Sequence, residues 1–456
     1  MKNKRNTGLF LTISLIVLVI GVTCWFLITI FESEKPEVQL APLPDFLKGE
    51  QEFQLTVSDA KRGLRSVTVS LKQGSRELTA FEKEFPFEGL FNAAGIHRFE
   101  TAFSIDPSRF NLAQGRVDLQ VRARDYSRRN GGDGNLRLLD HKMTLDTIPP
   151  SIRAISRLHY VNEGGTGLVV YQVSSDSTKS GVYVGEGFYP GYPHPDSPDG
   201  FHVCYFGIPL LNKKKPHVYL WAEDKAGNRS KADFYCRIKT KRFHIDKINI
   251  TDRFLDRIFP YFAYYLKGTD VGNLEKFLKI NQELREKNTS TFFELKDRTT
   301  PERHWEGVWL RLKNAATMAG FGERRLYYYD GKEVDRQIHL GVDLASLANS
   351  PVEAANNGAV IFTGPNGIYG KTVVLDHGQG LASAYSHLST INVQMGQEIM
   401  KGEVIGTTGQ TGLAGGDHLH FGVMVNGLFV NPIEWWDRHW IKDNVTRKLE
   451  LLKEAK

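Results

Sequence analysis

The chain has 456 residues, 41% of them hydrophobic, and a net charge of +6. That length exceeds one ordinary core and predicts about three domains. The modest charge, the lack of a basic stripe and the absence of zinc-finger or Gly-rich phosphate-loop spacings argue against nucleic acid or nucleotide as a ligand.

Residues 1–7, "MKNKRNT", carry Lys2, Lys4 and Arg5, and the next 24 residues, Gly8 to Phe31, carry no charge. A run of that length crosses a bilayer core of about 30 Å as a helix, exceeds a secretory h-region, and is followed by no A-x-A cleavage site. The flanking basic residues predict a single-pass helix over 8–31 in the inner (cytoplasmic) membrane. Its N-terminus would face the cytoplasm and everything beyond it would lie on the periplasmic side. Residues 32–50 hold three prolines without periodicity and read as a stiff linker.

Over 51–147 and again over 148–244, apolar and polar residues alternate, as in "RSVTVSLKQ" and "GRVDLQVRARD", between turns rich in Gly, Asn, Asp and Ser. The two stretches echo each other: Asp59 aligns with Asp176 and Asp125 with Asp224, and "DTIPPSI" separates them. This predicts two immunoglobulin-like β-sandwich modules, acting as spacers or as a surface for a protein partner. The turn aspartates suit calcium or the turn itself, and turn stabilisation is the expected role. Cys24 falls in the apolar run, whereas Cys204 and Cys236 fall in strand-like runs on the exported side. A disulfide between those two and a pair of buried thiols both fit.

Between 245 and 300 the period becomes helical ("TDRFLDRIFPYFAYYL", "NLEKFLKINQELREKN"), with Asn273 expected as an N-cap and Pro260 as an interruption. This short helical segment, rich in aromatics, is a candidate cover for whatever follows. From 301 to 456 short glycine-punctuated strands return, predicting an all-β layered or barrel-like domain closed by an amphipathic C-terminal helix.

Of fourteen histidines, ten have no partner pattern, among them His97, His202, His304 and His439. His377 ("LDHGQG") reads as packing at a turn. Four stand apart. "QIHLGVDLAS" spaces His339 and Asp343 at i and i+4, "HLHFG" puts His418 and His420 on one face of a strand, and "YSHLS" supplies His387. Two imidazoles and one carboxylate, from His339, Asp343 and His420, meet the needs of a zinc ion that keeps one position open for water. The other two histidines suit proton transfer and oxyanion stabilisation.

The segments "HLGVDLAS" (339–346), "YSHLS" (385–389) and "HLHFGVMVNGLFVNP" (418–432), with "PVEAANNGAVIFTG", "GKTVVLDHGQG" and "GQEIMKGEVIGTTGQTG" in order between them, resemble the M23 metallopeptidases, the LytM or lysostaphin-type family. The resemblance covers about 320–435. It implies a small β-rich fold and a zinc-dependent endopeptidase cutting peptide crosslinks of peptidoglycan. His339, Asp343 and His420 match the family's Zn2+ ligands, and His387 and His418 its two catalytic histidines. Asp417 departs from the family pattern, where Pro or a small polar residue is common, and adjoins His418. Relatives that have lost the zinc residues act as regulators of other wall hydrolases. A complete set here favours an enzyme over such a regulator, or over an envelope scaffold.

Overall fold

The computed structural model describes residues 4–194, 200–211 and 214–454. Met1 to Asn3, with Lys2 among them, and the last two residues of the expected C-terminal helix lie outside the described residues. The protein is mainly β, with 43% of residues in strands and 21% in helices. It divides into two compact units, residues 1–149 with 226–228, and residues 150–225 with 229–456.

The first unit opens with a helix over Lys4–Ile30. Its Gly8–Ile30 stretch is long and apolar enough to cross a membrane, and no residue of its apolar window is buried inside the protein. Two sheets follow. One pairs Glu37–Ala41, Gln51–Ser58 and Arg98–Ile105, and the other orders Phe46–Leu47, Leu136–Leu145, Gly115–Asp125, Leu64–Gln73 and Arg76–Glu84. The alternation in the sequence sets the register. Val67, Val69 and Leu71 stand opposite Ala123, Val121 and Leu119. These six residues are fully buried and share one core with Phe53, Leu55 and Val57 of the smaller sheet. A one-residue slip would turn that whole apolar set to solvent.

The second unit holds a single buried apolar cluster running from Val161 to Leu452. Strands Thr166–Val173 and Phe201–Gly207 pair antiparallel, as do Ser177–Val184 and Val218–Asp224. A parallel pair, Ile245–Ile250 with Arg324–Tyr329, leads into an eight-stranded sheet in the C-terminal half. Trp305, Trp309 and Trp435 gather with Tyr205 at the centre of the shared core. Glu434 accepts from the Thr166 amide at 2.8 Å, and Lys448 on the C-terminal helix donates to Leu168 O at 2.9 Å.

Helix Asp252–Ile258 is capped by Thr251 and passes at Pro260 into a 3-10 turn, as proline in a helix requires. Asn273 is not a cap. Gly272 takes that position, and Asn273 is the first helical residue, its side-chain Nδ2 donating to Asp252 Oδ1 at 3.1 Å. The cysteine pairing that the sequence left open is not made either. Cys204 and Cys236 are free thiols. Cys204 lies in a strand paired with Thr166–Val173 and Cys236 in one paired with His159–Asn162, so each side chain belongs to a different sheet.

Candidate metal centre

Strand Leu419–Val425 runs through the middle of the eight-stranded sheet, between Val342–Ala345 and Leu381–Leu388. The register puts His420 opposite Asp343 on one side and Ser386, next to His387, on the other. Cross-strand partners in an antiparallel pair share a face. Three segments far apart in sequence are thus brought within one side chain's reach of each other. His418, two residues before His420, is held by a bridge to Gly409 and faces the same way.

His339, Asp343 and His420 are all buried, and one atom of each converges with the others. His339 Nε2 lies 2.9 Å from Asp343 Oδ1 and 3.0 Å from His420 Nδ1, and His420 Nδ1 lies 2.9 Å from Asp343 Oδ1. Because His339 Nδ1 donates to Gly320 O at 2.9 Å, its Nε2 presents a lone pair to the carboxylate. Two acceptors meeting at that distance need a cation or a shared proton between them. In tetrahedral zinc, with bonds of about 2.0–2.1 Å, neighbouring ligand atoms stand about 3.3 Å apart. The observed triangle is a few tenths tighter, and two nitrogens and one oxygen are a zinc donor set, so the residues fit that ion.

The remaining contacts hold the three in place. Asp343 Oδ2 accepts from Arg325 Nη2 at 2.8 Å, which leaves Oδ1 as the converging atom. Burial alone would raise the Asp343 carboxyl, but His339 and its neighbours outweigh it and keep the group ionised, well below the usual carboxylate range. Gly341 explains itself sterically. A Cβ there would stand 2.5 Å from His420 Nε2 and 2.7 Å from Phe421 O.

His387 and His418 border the triangle, their rings 4.8 Å apart. His387 Nδ1 donates to Thr411 O at 2.8 Å and His418 Nδ1 to Gly416 O at 2.9 Å. Each ring therefore has its tautomer fixed by a carbonyl and keeps Nε2 for other work. His418 Nε2 is 3.6 Å from Asp343 Oδ1. Burial and the two neighbouring imidazoles push His387 well below its ordinary pKa. Burial also lowers His418, but Asp343 more than offsets it and raises the net value. His387 adopts φ +62°, a left-handed conformation that a non-glycine residue rarely takes.

These groups line a cleft of about 420 Å³. One wall comes from the helical segment, through Phe254, Phe277 and Arg285, and Arg257 Nη2 donates to Gly415 O at 3.1 Å in the loop before His418. Asp417 commits its oxygens to Thr408 Oγ1 at 2.6 Å and the Asn349 amide at 3.2 Å, bracing that loop. His377 lies outside the cleft, fully buried between Ser383 Oγ and Asn357 O. Sequence reasoning missed Arg325 and Gly341. The glycine in "HLGVD" carried a signal, a Cβ-free position between two site residues; the arginine, in an ordinary alternating strand, carried none.

Residues 337–432 match the sequence model of Peptidase family M23. The DD-carboxypeptidase/endopeptidase Mpg of Neisseria meningitidis serogroup B is 39% identical over 97 residues, 21% of this chain and 22% of that protein. The peptidoglycan DD-endopeptidase ShyA of Vibrio cholerae is 38% identical over 118 residues, 25% of this chain and 26% of that protein. The chain thus spans about a quarter of the length of these curated relatives. The catalytic domain of lysostaphin from Staphylococcus simulans aligns at 30% identity and TM-score 0.24, covering 27% of this chain and 94% of that one.

Proposed function

We propose, from the premise that residues 337–432 are a Peptidase family M23 domain, that this protein is a zinc metalloendopeptidase hydrolysing peptide crosslinks of bacterial peptidoglycan. The observation that carries the reading is the convergence of five side chains, His339, Asp343, His387, His418 and His420, on one cleft. The endopeptidase names of the relatives support the substrate class.

His339, Asp343 and His420 would hold the zinc, which when bound makes water a nucleophile near neutral pH and polarises the scissile carbonyl. The chain's own residues do the rest. Arg325 fixes the Asp343 carboxylate. His418, nearest the triangle, takes a proton from the attacking water at Nε2 and passes it to the leaving amine. His387, its Nδ1–H committed to Thr411 O, turns the Nε2 lone pair to the attacking water and orients it. Both rings are pre-oriented by backbone carbonyls, so neither must reorganise during the reaction.

The helix over residues 8–31 serves as the inner-membrane anchor and leaves the catalytic region on the periplasmic side, while residues 32–50, expected as a stiff linker, instead supply strands Glu37–Ala41 and Phe46–Leu47 to the sheets of the first unit. The region 51–147 acts as an immunoglobulin-like spacer and offers a surface to a protein partner, whereas 148–244, expected as a second such module, shares the buried core of the catalytic half. The helical segment, through Arg257 and Phe254, restrains the loop before His418 and limits access to the cleft. A purely regulatory role is the second reading, and the complete set of five residues weighs against it.

The test uses the full chain in detergent and isolated sacculi. His420→Ala loses both zinc and peptide release. His418→Ala keeps stoichiometric zinc but loses about a hundredfold or more of turnover. A well-folded, zinc-free wild-type protein that releases no peptides would refute the enzyme reading.

A further inference from the structure

Unit one contains a second convergence of ligand-type side chains, all oxygen, far from histidine or cysteine in composition. Glu32 follows the apolar helix, two positions after Ile30. Asp59 lies in the turn "SDAKRG" and Asp125 at the end of strand Gly115–Asp125. All three are buried, at 7%, 3% and 0% exposure, and one oxygen of each lies within 4.8 Å of the others.

Turn stabilisation accounts for only part of this. Asp59 Oδ1 accepts from the amides of Lys61, Arg62 and Gly63, as a turn aspartate does. Its other oxygen, Oδ2, is buried and has no protein partner. Asp125 Oδ1 accepts from the Ser127 and Asn135 amides at 2.9 and 2.7 Å. Glu32 Oε2 accepts from the Glu34 amide at 2.7 Å. The remaining acceptors crowd a single donor group. Asn135 Nδ2 faces Asp125 Oδ2, Glu32 Oε1, Glu32 O and Glu34 O at 2.8 to 3.1 Å, although an amide has only two hydrogens to give.

Among the described residues no cation forms an ion pair with Glu32, Asp59 or Asp125, although the charge of Arg62 offsets part of theirs. Arg62 is the nearest, but its Nη1 and Nη2 donate to Phe91 O and Tyr126 O. Lys61 pairs instead with the exposed Glu34. Buried charge without a partner is costly, and burial, with Asp125 adding to it, pushes the Glu32 and Asp59 carboxyls upward. A bound cation reverses that.

We propose that Glu32, Asp59 and Asp125, with the Glu32 carbonyl beside them, hold a calcium ion that fastens the segment leaving the apolar helix onto the first β region. Calcium takes six to eight oxygens at about 2.3–2.6 Å in flexible geometry, so ligands on opposite sides stand up to about 5 Å apart. The three carboxylate oxygens all lie within 4.8 Å of one another, inside that span. Magnesium requires a tighter octahedron, and zinc prefers the nitrogen-bearing triangle of the other site. Asn135 and Arg62 hold the surrounding loops.

The test measures calcium binding and thermal unfolding of the full, zinc-loaded chain in detergent, with CaCl2 as probe and MgCl2 as control. One calcium binds per chain with a dissociation constant on the order of 0.1–1 mM, as in extracellular modules, and magnesium binds at least tenfold more weakly. Glu32→Gln keeps the side chain's size, lowers calcium affinity tenfold or more, and reverses sign in the melt. It unfolds at or above the wild-type temperature without calcium and below it with calcium. Asp59→Asn should behave alike; if it fails to fold, Glu32→Gln decides alone. Wild type that binds no calcium at 10 mM (about tenfold above that range), Glu32→Gln that binds as tightly as wild type, or magnesium that binds equally would each overturn the proposal.

Discussion

Gly341→Ala isolates the geometry of the candidate metal centre from its chemistry. Position 341 does not need the left-handed backbone that favours glycine, so alanine is tolerated conformationally and only its extra carbon acts. That carbon would stand 2.5 Å from His420 Nε2, 2.6 Å from Cε1 and 2.7 Å from the backbone oxygen of Phe421. Ordinary contact begins near 3.4 Å, so the imidazole must retreat by about 0.9 Å while the Phe421 backbone, locked in the central strand opposite Tyr385, cannot. The retreat takes His420 Nδ1 out of a triangle whose sides are 2.9 to 3.0 Å. Overpacking of this kind costs about 1–3 kcal/mol of stability. A misplacement near 1 Å costs about a hundredfold in rate, and site geometry tolerates only about 0.5 Å. Zinc content after dialysis against a chelator, peptide release from sacculi and a urea melt measure the three effects together. Tight zinc with turnover within twofold of wild type would refute the steric argument.

Acid stability follows from three buried groups in the second unit. Burial pushes His159 and His377 down to about 4 and Glu434 up to about 7. Each histidine binds a proton more readily unfolded, so each costs stability as pH falls from 6.5 to 4, by about 3 kcal/mol. Glu434 binds its proton more tightly folded and gains a similar amount as pH falls from 7 to 4.5, offsetting roughly one histidine. The urea midpoint therefore drops between pH 6.5 and 4, and Glu434→Gln steepens the drop; a flat or shallower profile in the variant contradicts the assignment. Arg257→Ala removes the hydrogen bond to Gly415 O and raises turnover severalfold if the helical segment restrains the cleft. Unchanged rates dismiss that restraint. Replacing Arg325 with Leu leaves Asp343 buried without its cation and lowers stability of the zinc-free chain by about 3 kcal/mol, read from urea melts; a loss under 1 kcal/mol would mean the pair is already solvated.

Much of the site was legible because its chemistry is written in local spacings. HxH on a strand puts two rings on one face whatever the fold, and the alternation in "RSVTVSLKQ" fixes which side of a strand is buried. Longer-range facts had no local signal. Arg325 sits in "RRLYYY", where an alternating arginine looks solvated; only the sheet's path brings it to Asp343. The core that joins Tyr205 to Trp305 and Trp435 depends on residues a hundred or more positions apart. Asn273 looked like a cap from residue type alone, but the chain enters the helix one residue earlier, at Gly272. Cys204 and Cys236 share a plausible exported setting yet stand in separate sheets, a matter of strand pairing that spacing does not encode.

Zinc X-ray absorption on the purified full chain reads the ligand set itself. One tightly held zinc per chain is expected, ligated by two imidazole nitrogens and a carboxylate oxygen with lighter scatterers completing the shell, and that signal is lost in His339→Ala. Sulfur ligation, or a zinc signal that survives His339→Ala unchanged, would contradict that ligand set.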